Sequence, residues 1–239
     1  LKKNKLYVPH IDKTGGQSVE IMLRDALDRA GWRYDINPGL TFLNCDSDNY
    51  ARIGMHQEYN PEYITDDWFK LLVIREPLTR FVSAYNFFRF EFWRDHDMVM
   101  NLNVMEFVEF THRRQNRYPV QAQWAMHRGY ISSLTSLNAE QKSTPKMFTN
   151  SNIFEIFDVV TDTDHLHEIA DHLRPLGLEV NTDVRVNVSH KHLVKTMGLQ
   201  DDCVLTVDML TSEELMAIES LPDFQSEVDL WERYIAYRG

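Results

Sequence analysis

The segment Leu6-Tyr-Val-Pro-His-Ile-Asp-Lys-Thr-Gly-Gly-Gln-Ser18 constrains this chain more than any other, because an apolar run passes through a glycine pair straight into a helical pattern. That order commits the chain to a strand-loop-helix unit. Gly15 and Gly16 admit backbone angles closed to other residues and let a ligand approach the main chain. The helix that follows presents N–H groups and the positive end of its dipole. An anion-binding loop is expected, with Lys13 adding a cation and Thr14 and Ser18 adding hydroxyls. In the common nucleotide loop four residues separate the glycines and lysine follows the second. Here lysine comes first. Beyond the loop, Val19, Met22, Leu23, Ala26, Leu27 and Ala30 recur at helical spacing, and Gly31 supplies a stop.

A second motif, Lys70-Leu-Leu-Val-Ile-Arg-Glu-Pro-Leu-Thr-Arg-Phe-Val-Ser-Ala-Tyr85, has the same logic. Leu71 to Ile74 is the continuous apolar run of a strand covered on both faces. Pro77 suits a helix's first turn. Arg75 therefore stands at the strand's carboxyl end, where its planar fork of donors matches phosphate oxygens. Ser83 lies eight residues on, about two turns into the helix, and offers a hydroxyl.

The two motifs resemble the phosphate sites of sulfotransferases that use 3'-phosphoadenosine 5'-phosphosulfate (PAPS). The likeness is greatest to the carbohydrate O-sulfotransferases and their heparan and uronyl 2-O-sulfotransferase group. His10-Ile-Asp-Lys-Thr-Gly-Gly-Gln-Ser18 is similar to that family's 5'-phosphosulfate loop, and Arg75 with Ser83 has the spacing of its 3'-phosphate site. The resemblance implies an α/β fold, a P-loop-like parallel sheet flanked by helices. It also implies in-line sulfuryl transfer from PAPS to a hydroxyl of a glycan or other alcohol, with no metal. Lys13, Thr14, Gly15, Gly16, Gln17 and Ser18 would hold the 5' group, and Arg75 and Ser83 the 3'-phosphate. Lys13 would also stabilise charge on the departing phosphate. Asp12 departs from the pattern, which has proline there, and is able to repel phosphate or pair with Lys13.

Ile53-Gly-Met-His-Gln-Glu-Tyr59 resembles the Gly-His segment where 2-O-sulfotransferases keep a histidine base. His56 is the candidate, since imidazole titrates near neutrality and can take the acceptor's proton. Glu58 and Glu62 are the fallback bases. Phe154 to Asp164 looks like the family's later core strand, and Arg185-Val-Asn-Val-Ser-His-Lys-His192 like its Asn-x-Ser segment, from which Ser189 and Lys191 would reach the nucleotide. An exposed polar helix start explains that segment equally well. An ATP-dependent, kinase-like enzyme and a non-catalytic nucleotide-binding domain are the competing readings.

The 239 residues, 43% hydrophobic and 26% charged, suit one globular domain spanning 1–239. A net charge of −11 disfavours nucleic acid and long polyanionic substrates, which need basic surfaces, and favours a neutral or lightly charged acceptor. Two cysteines, Cys45 and Cys203, make neither a disulfide framework nor a metal set. Histidines 165, 167, 172, 190 and 192 lack ligand spacing. No apolar run is long enough to span a membrane and no signal pattern follows Leu1. Animal relatives are typically Golgi enzymes on membrane stems. The expected location here is the cytoplasm of a bacterium or of a virus's host, or the Golgi lumen if an anchor was removed.

Strands alternating with helices predict a parallel sheet. Residues 32–50 show no period and read as loop-rich, and 102–130 read as helical with a break near Pro119. Arg117, Gln121 and Gln123 in that stretch are acceptor-site candidates by the same resemblance. Phe81, Tyr85, Phe88 and Phe92 fall on one helical stripe, which assigns them to the core rather than to a sugar-stacking platform. Thr211-Ser-Glu-Glu214 is a capping box, and Val228, Trp231 and Ile235 mark a final amphipathic helix.

Overall fold

A computed structural model of the chain describes residues 3–10, 14–36, 48–55, 65–90, 102–112, 153–183, 204–221 and 224–239. These fall into two compact units. The first holds the described residues up to Ile74 together with 153–183, and the second holds the rest.

The first unit is built on five parallel strands: β1 (Lys5–His10), β2 (Arg33–Ile36), β3 (Tyr50–Met55), β4 (Trp68–Ile74) and β5 (Val159–Asp162), in the order β2-β3-β1-β4-β5. The chain leaves β1 for one side of the sheet and returns from β3 to the other, so β1 and β4 flank a topological switch point. Open α/β sheets bind ligands at the carboxyl ends of such strands. Helix α1 (Gly16–Ala30) covers one face, where Val19, Leu23 and Leu27 pack with Leu6, Val8, Ala51, Ile53, Leu71 and Val73. Its predicted stripe is buried apart from Ala30, which is exposed at the last turn. Gly31 stops the helix as expected: at φ 69° it lets its own N–H reach Asp28 O (3.2 Å) and Trp32 N–H reach Leu27 O (2.9 Å).

Two elements differ from the sequence expectation. Residues 33–36 form a strand, not a loop, and β3 is consequently the third strand rather than the second. The reason is its edge position: Arg-Tyr-Asp-Ile has one neighbour and only partial burial, so no apolar pattern announces it. Residues 153–156 form a helical turn, α4 by chain order, rather than the start of β5. Ile153 and Phe157 are both buried, one helical turn apart, and Phe157 N–H donates to Ile153 O at 3.1 Å.

The sheet's other face carries an unexpected polar row. Pairing sets Asp35 beside Arg52, Arg52 beside Tyr7 and Tyr7 beside Lys70, with Arg52, Tyr7 and Lys70 all buried. Asp158 accepts from Lys70 N–H at 2.8 Å and pairs with Lys3. After β5 the chain makes a short 3₁₀ turn (Leu166–Glu168), helix α5 (Ile169–Leu173) and a second 3₁₀ turn (Arg174–Leu176).

The second unit contains α2 (Pro77–Phe90), α3 (Val104–His112), α6 (Ser212–Glu219) and α7 (Phe224–Arg238). Phe81 and Tyr85 are core residues as predicted, edge-on to Phe107 at 5.7 and 5.4 Å between ring centroids. The side chain of Phe88 and the whole of Phe92 lie outside the described residues. The capping box is present, with Glu214 N–H donating to Thr211 Oγ1 and Thr211 N–H to Glu214 Oε2. Helix α7 forms, but on a rotated face: Phe224, Glu227, Leu230 and Tyr234 are buried while Ile235 is 52% exposed. Glu227 occupies the buried stripe because it pairs with buried Arg80 of α2, and a carboxylate in that stripe hides it from an apolar count. No described helix is long and apolar enough to cross a membrane.

Candidate functional site

Of the glycine loop that follows β1, Thr14 to Gly16 are described: Gly15 takes the left-handed angle expected of the pair, whereas Gly16 opens α1 without one. Gly15 is the N-cap of α1 at φ 77°, in the left-handed region, and its carbonyl accepts from Ser18 N–H (2.9 Å) and Val19 N–H (3.2 Å). A glycine N-cap has no side-chain oxygen to offer the helix end, and the first turn of α1 contains no acidic residue. Within its own first turn, then, α1 carries no acid to offset the positive end of this 15-residue helix, which suits an anionic ligand. Thr14 is 1% exposed and Ser18 is buried, whereas Gly15 and Gly16 are partly open and Gln17 is exposed. Main chain of Gly15 and Gly16 is thus open at the loop's surface.

Below the loop is a cavity of ≈ 10 Å³, lined by Val8, Ile53, Val73 and Val19 with Thr14 and Gly16. It has room for about one water and is mostly apolar, so it is no seat for a nucleotide. The loop also has a wall. A Cβ added to Gly15 would lie 3.3 Å from Thr163 Cγ2 and 3.9 Å from Leu166 Cδ1, in the turn after β5.

In the second unit, Arg75 directly follows Ile74 of β4, and Pro77 opens α2 as predicted. Arg75 is partly exposed and Ser83 is buried on α2. Glu76, between them in sequence, was not singled out by the motif. Its carboxylate accepts from Leu78 N–H (2.9 Å) and Thr79 N–H (2.6 Å), so it caps α2. The two helices therefore differ: the first turn of α1 holds no carboxylate, and α2 is capped by its own Glu76. The local signal for this was Glu directly before Pro at the first helical position. Asn86 of α2 pairs with the main chain of Leu205 in both directions, at 2.8 and 3.1 Å.

Asp12, Lys13, His56, Glu58, Glu62, Arg117, Gln121, Gln123, Ser189 and Lys191 lie outside the described residues. The sequence weighs His165 only as a metal ligand; the structure holds its ring against buried Asp162.

A parallel five-strand sheet with a glycine loop after its central strand is a fold shared by several chemistries. The model of the sulfotransferase family, which includes carbohydrate sulfotransferases, matches residues 1–176. The chain belongs to the sulfotransferase family. No curated protein matches it. The matched residues include the loop and its wall after β5, together with Arg75 and Ser83. Membership makes the chain an enzyme that transfers sulfate to an acceptor, in a family that generally uses PAPS as donor.

Proposed function

We propose that this sulfotransferase moves the sulfuryl group of PAPS to a hydroxyl of a glycan or other small alcohol. The observation that carries the reading is the start of α1, where left-handed Gly15 opens a helix free of side-chain cap and first-turn acid. That arrangement suits the donor's 5'-phosphosulfate. The main chain of Gly15, Gly16, Gln17 and Ser18, with the Thr14 and Ser18 hydroxyls, holds the group, and Lys13 adds a cation. Arg75 and Ser83, eight residues apart, hold the 3'-phosphate. Ser189 and Lys191 close on the nucleotide from the later Asn-x-Ser segment.

When bound, the donor supplies sulfuryl and a phosphate leaving group. The acceptor oxygen forms its bond to sulfur as the bond to the bridging phosphate oxygen breaks, and Lys13 offsets the charge growing on that oxygen. His56 takes the proton that the acceptor hydroxyl loses. A net charge of −11 supports an acceptor of low charge over a polyanion.

Calorimetry with adenosine 3',5'-bisphosphate, adenosine 5'-phosphate and ATP tests the reading. Arg75→Ala should weaken the bisphosphate by about 1.5–3 kcal/mol, the value of a charge-assisted contact, and leave the 5'-monophosphate nearly unchanged. Equal losses for both would remove Arg75 from the 3' site. Tighter binding of ATP than of the bisphosphate would overturn the choice of donor.

A further inference from the structure

The turn after β5 contains a side-chain pair that the proposed reaction does not use. Asp162, the last residue of β5, is 3% exposed and accepts from Asp164 N–H (2.7 Å) and His165 N–H (3.0 Å). The same carboxylate holds His165 Nδ1, at 2.9 and 2.8 Å from its two oxygens. An ionised carboxylate only accepts, so the pair selects the tautomer with the proton on Nδ1, in which Nε2 is the acceptor. The His165 side chain is 38% exposed, and among the described residues no hydrogen bond reaches Nε2.

Capping this turn requires only the two backbone N–H groups. Holding an exposed imidazole in one orientation on the same carboxylate costs side-chain entropy that the turn does not need spent. Position supplies the reason. Thr163 and Leu166, on either side of His165 in sequence, are the residues that wall Gly15. The pair thus stands at the carboxyl edge of the sheet, beside the loop read above as the donor's phosphate seat.

We propose that His165, oriented by Asp162, is a binding residue for the donor nucleotide, its Nε2 accepting a hydrogen bond from an N–H or O–H group of the nucleoside. The proposal rests on the reading of the Gly15 loop as the phosphate site. It selects nucleotide over acceptor because the turn packs on the loop itself.

The test is calorimetric titration of the full chain with adenosine 3',5'-bisphosphate, for wild type, His165→Ala, His165→Gln, Asp162→Asn and Arg75→Ala, with thermal melts of each. His165→Ala should weaken binding about 3- to 10-fold, the value of one hydrogen bond. His165→Gln, whose amide oxygen can stand near the Nε2 position, should recover part of that loss, and Asp162→Asn should fall between. In wild type, the histidine nitrogen resonances should move at Nε2 on adding the bisphosphate while Nδ1 stays protonated. That arm needs no variant to fold. A still Nε2 resonance, or wild-type affinity in His165→Ala alongside lost affinity in Arg75→Ala, overturns this inference alone. Failure of wild type to bind the bisphosphate overturns it together with the reading beneath it.

Discussion

Replacing Gly15 with alanine tests the loop most directly, and Gly31 supplies a matched control within α1's own ends. Both glycines are left-handed, at φ 77° and 69°, so alanine at either should cost about 1–2 kcal/mol of backbone strain. The surroundings differ. A Cβ at Gly31 meets nothing within 4 Å, whereas one at Gly15 meets Thr163 Cγ2 at 3.3 Å, a close contact with a stiff β-branched side chain. Forcing Thr163 aside adds on the order of 1 kcal/mol, giving about 2–3 kcal/mol for Gly15→Ala. At roughly 2–4 °C of melting temperature per kcal/mol for a chain of this size, Gly31→Ala should lose about 2–8 °C and Gly15→Ala somewhat more. Binding should separate them further. A loop pushed off the Thr163 wall misplaces its main-chain donors, and losing one charge-assisted N–H contact of about 1.5–3 kcal/mol weakens the bisphosphate roughly 10- to 150-fold. Gly31→Ala should bind as wild type. Melts and calorimetry on the three proteins decide the matter. Wild-type affinity in Gly15→Ala would refute the loop as phosphate seat, and equal loss in Gly31→Ala would reduce the effect to general destabilisation.

Three further outcomes are expected. Glu227→Gln breaks the ion pair with Arg80, whose partners are only 1% and 2% exposed, and should cost about 3–5 kcal/mol in denaturant melts. Arg80→Met with Glu227→Leu should regain most of that, and a single variant within about 0.5 kcal/mol of wild type would contradict the pairing. Asn86→Ala strands the Leu205 N–H and C=O that it now satisfies, which should cost about 1–3 kcal/mol and speed hydrogen exchange at the Leu205 amide; unchanged exchange would show that the clamp does not hold that segment. His56→Ala should lower turnover by roughly two to four orders of magnitude with nucleotide affinity kept. Because only neutral imidazole accepts a proton, wild-type turnover should fall as the pH drops far enough to protonate the base. If a still-active His56→Ala keeps that acidic limb and Glu58→Gln removes it, the base is Glu58.

The turn into α1 was legible in the sequence because its geometry is local. Gly15, Gly16 and the helix stripe after them act through atoms within one or two turns, so spacing alone states the geometry. Pro77 and the Thr211–Glu214 box announce helix starts for the same reason. The Glu76 cap is equally local, written in the Glu-Pro step that opens α2. The Asp162–His165 pair spans three residues, yet its meaning depends on the loop it stands beside. That neighbour comes from the opposite end of the first unit's sequence.

The sequence by itself determined the strand-loop-helix unit, the strand that delivers Arg75, the helix stops and caps, and the parallel sheet they require. Each follows from steric limits on the backbone and from hydrogen bonds that close within a few residues. Only the tertiary structure decided that residues 33–36 join the sheet, because an edge strand half in water has no apolar pattern to show. It alone decided the face of α7, where Glu227 meets Arg80 across 147 residues of chain, and the row in which Asp35, Arg52, Tyr7 and Lys70 line up by register. A buried charge is stable only beside a partner, and which partner arrives is settled by where the chain returns.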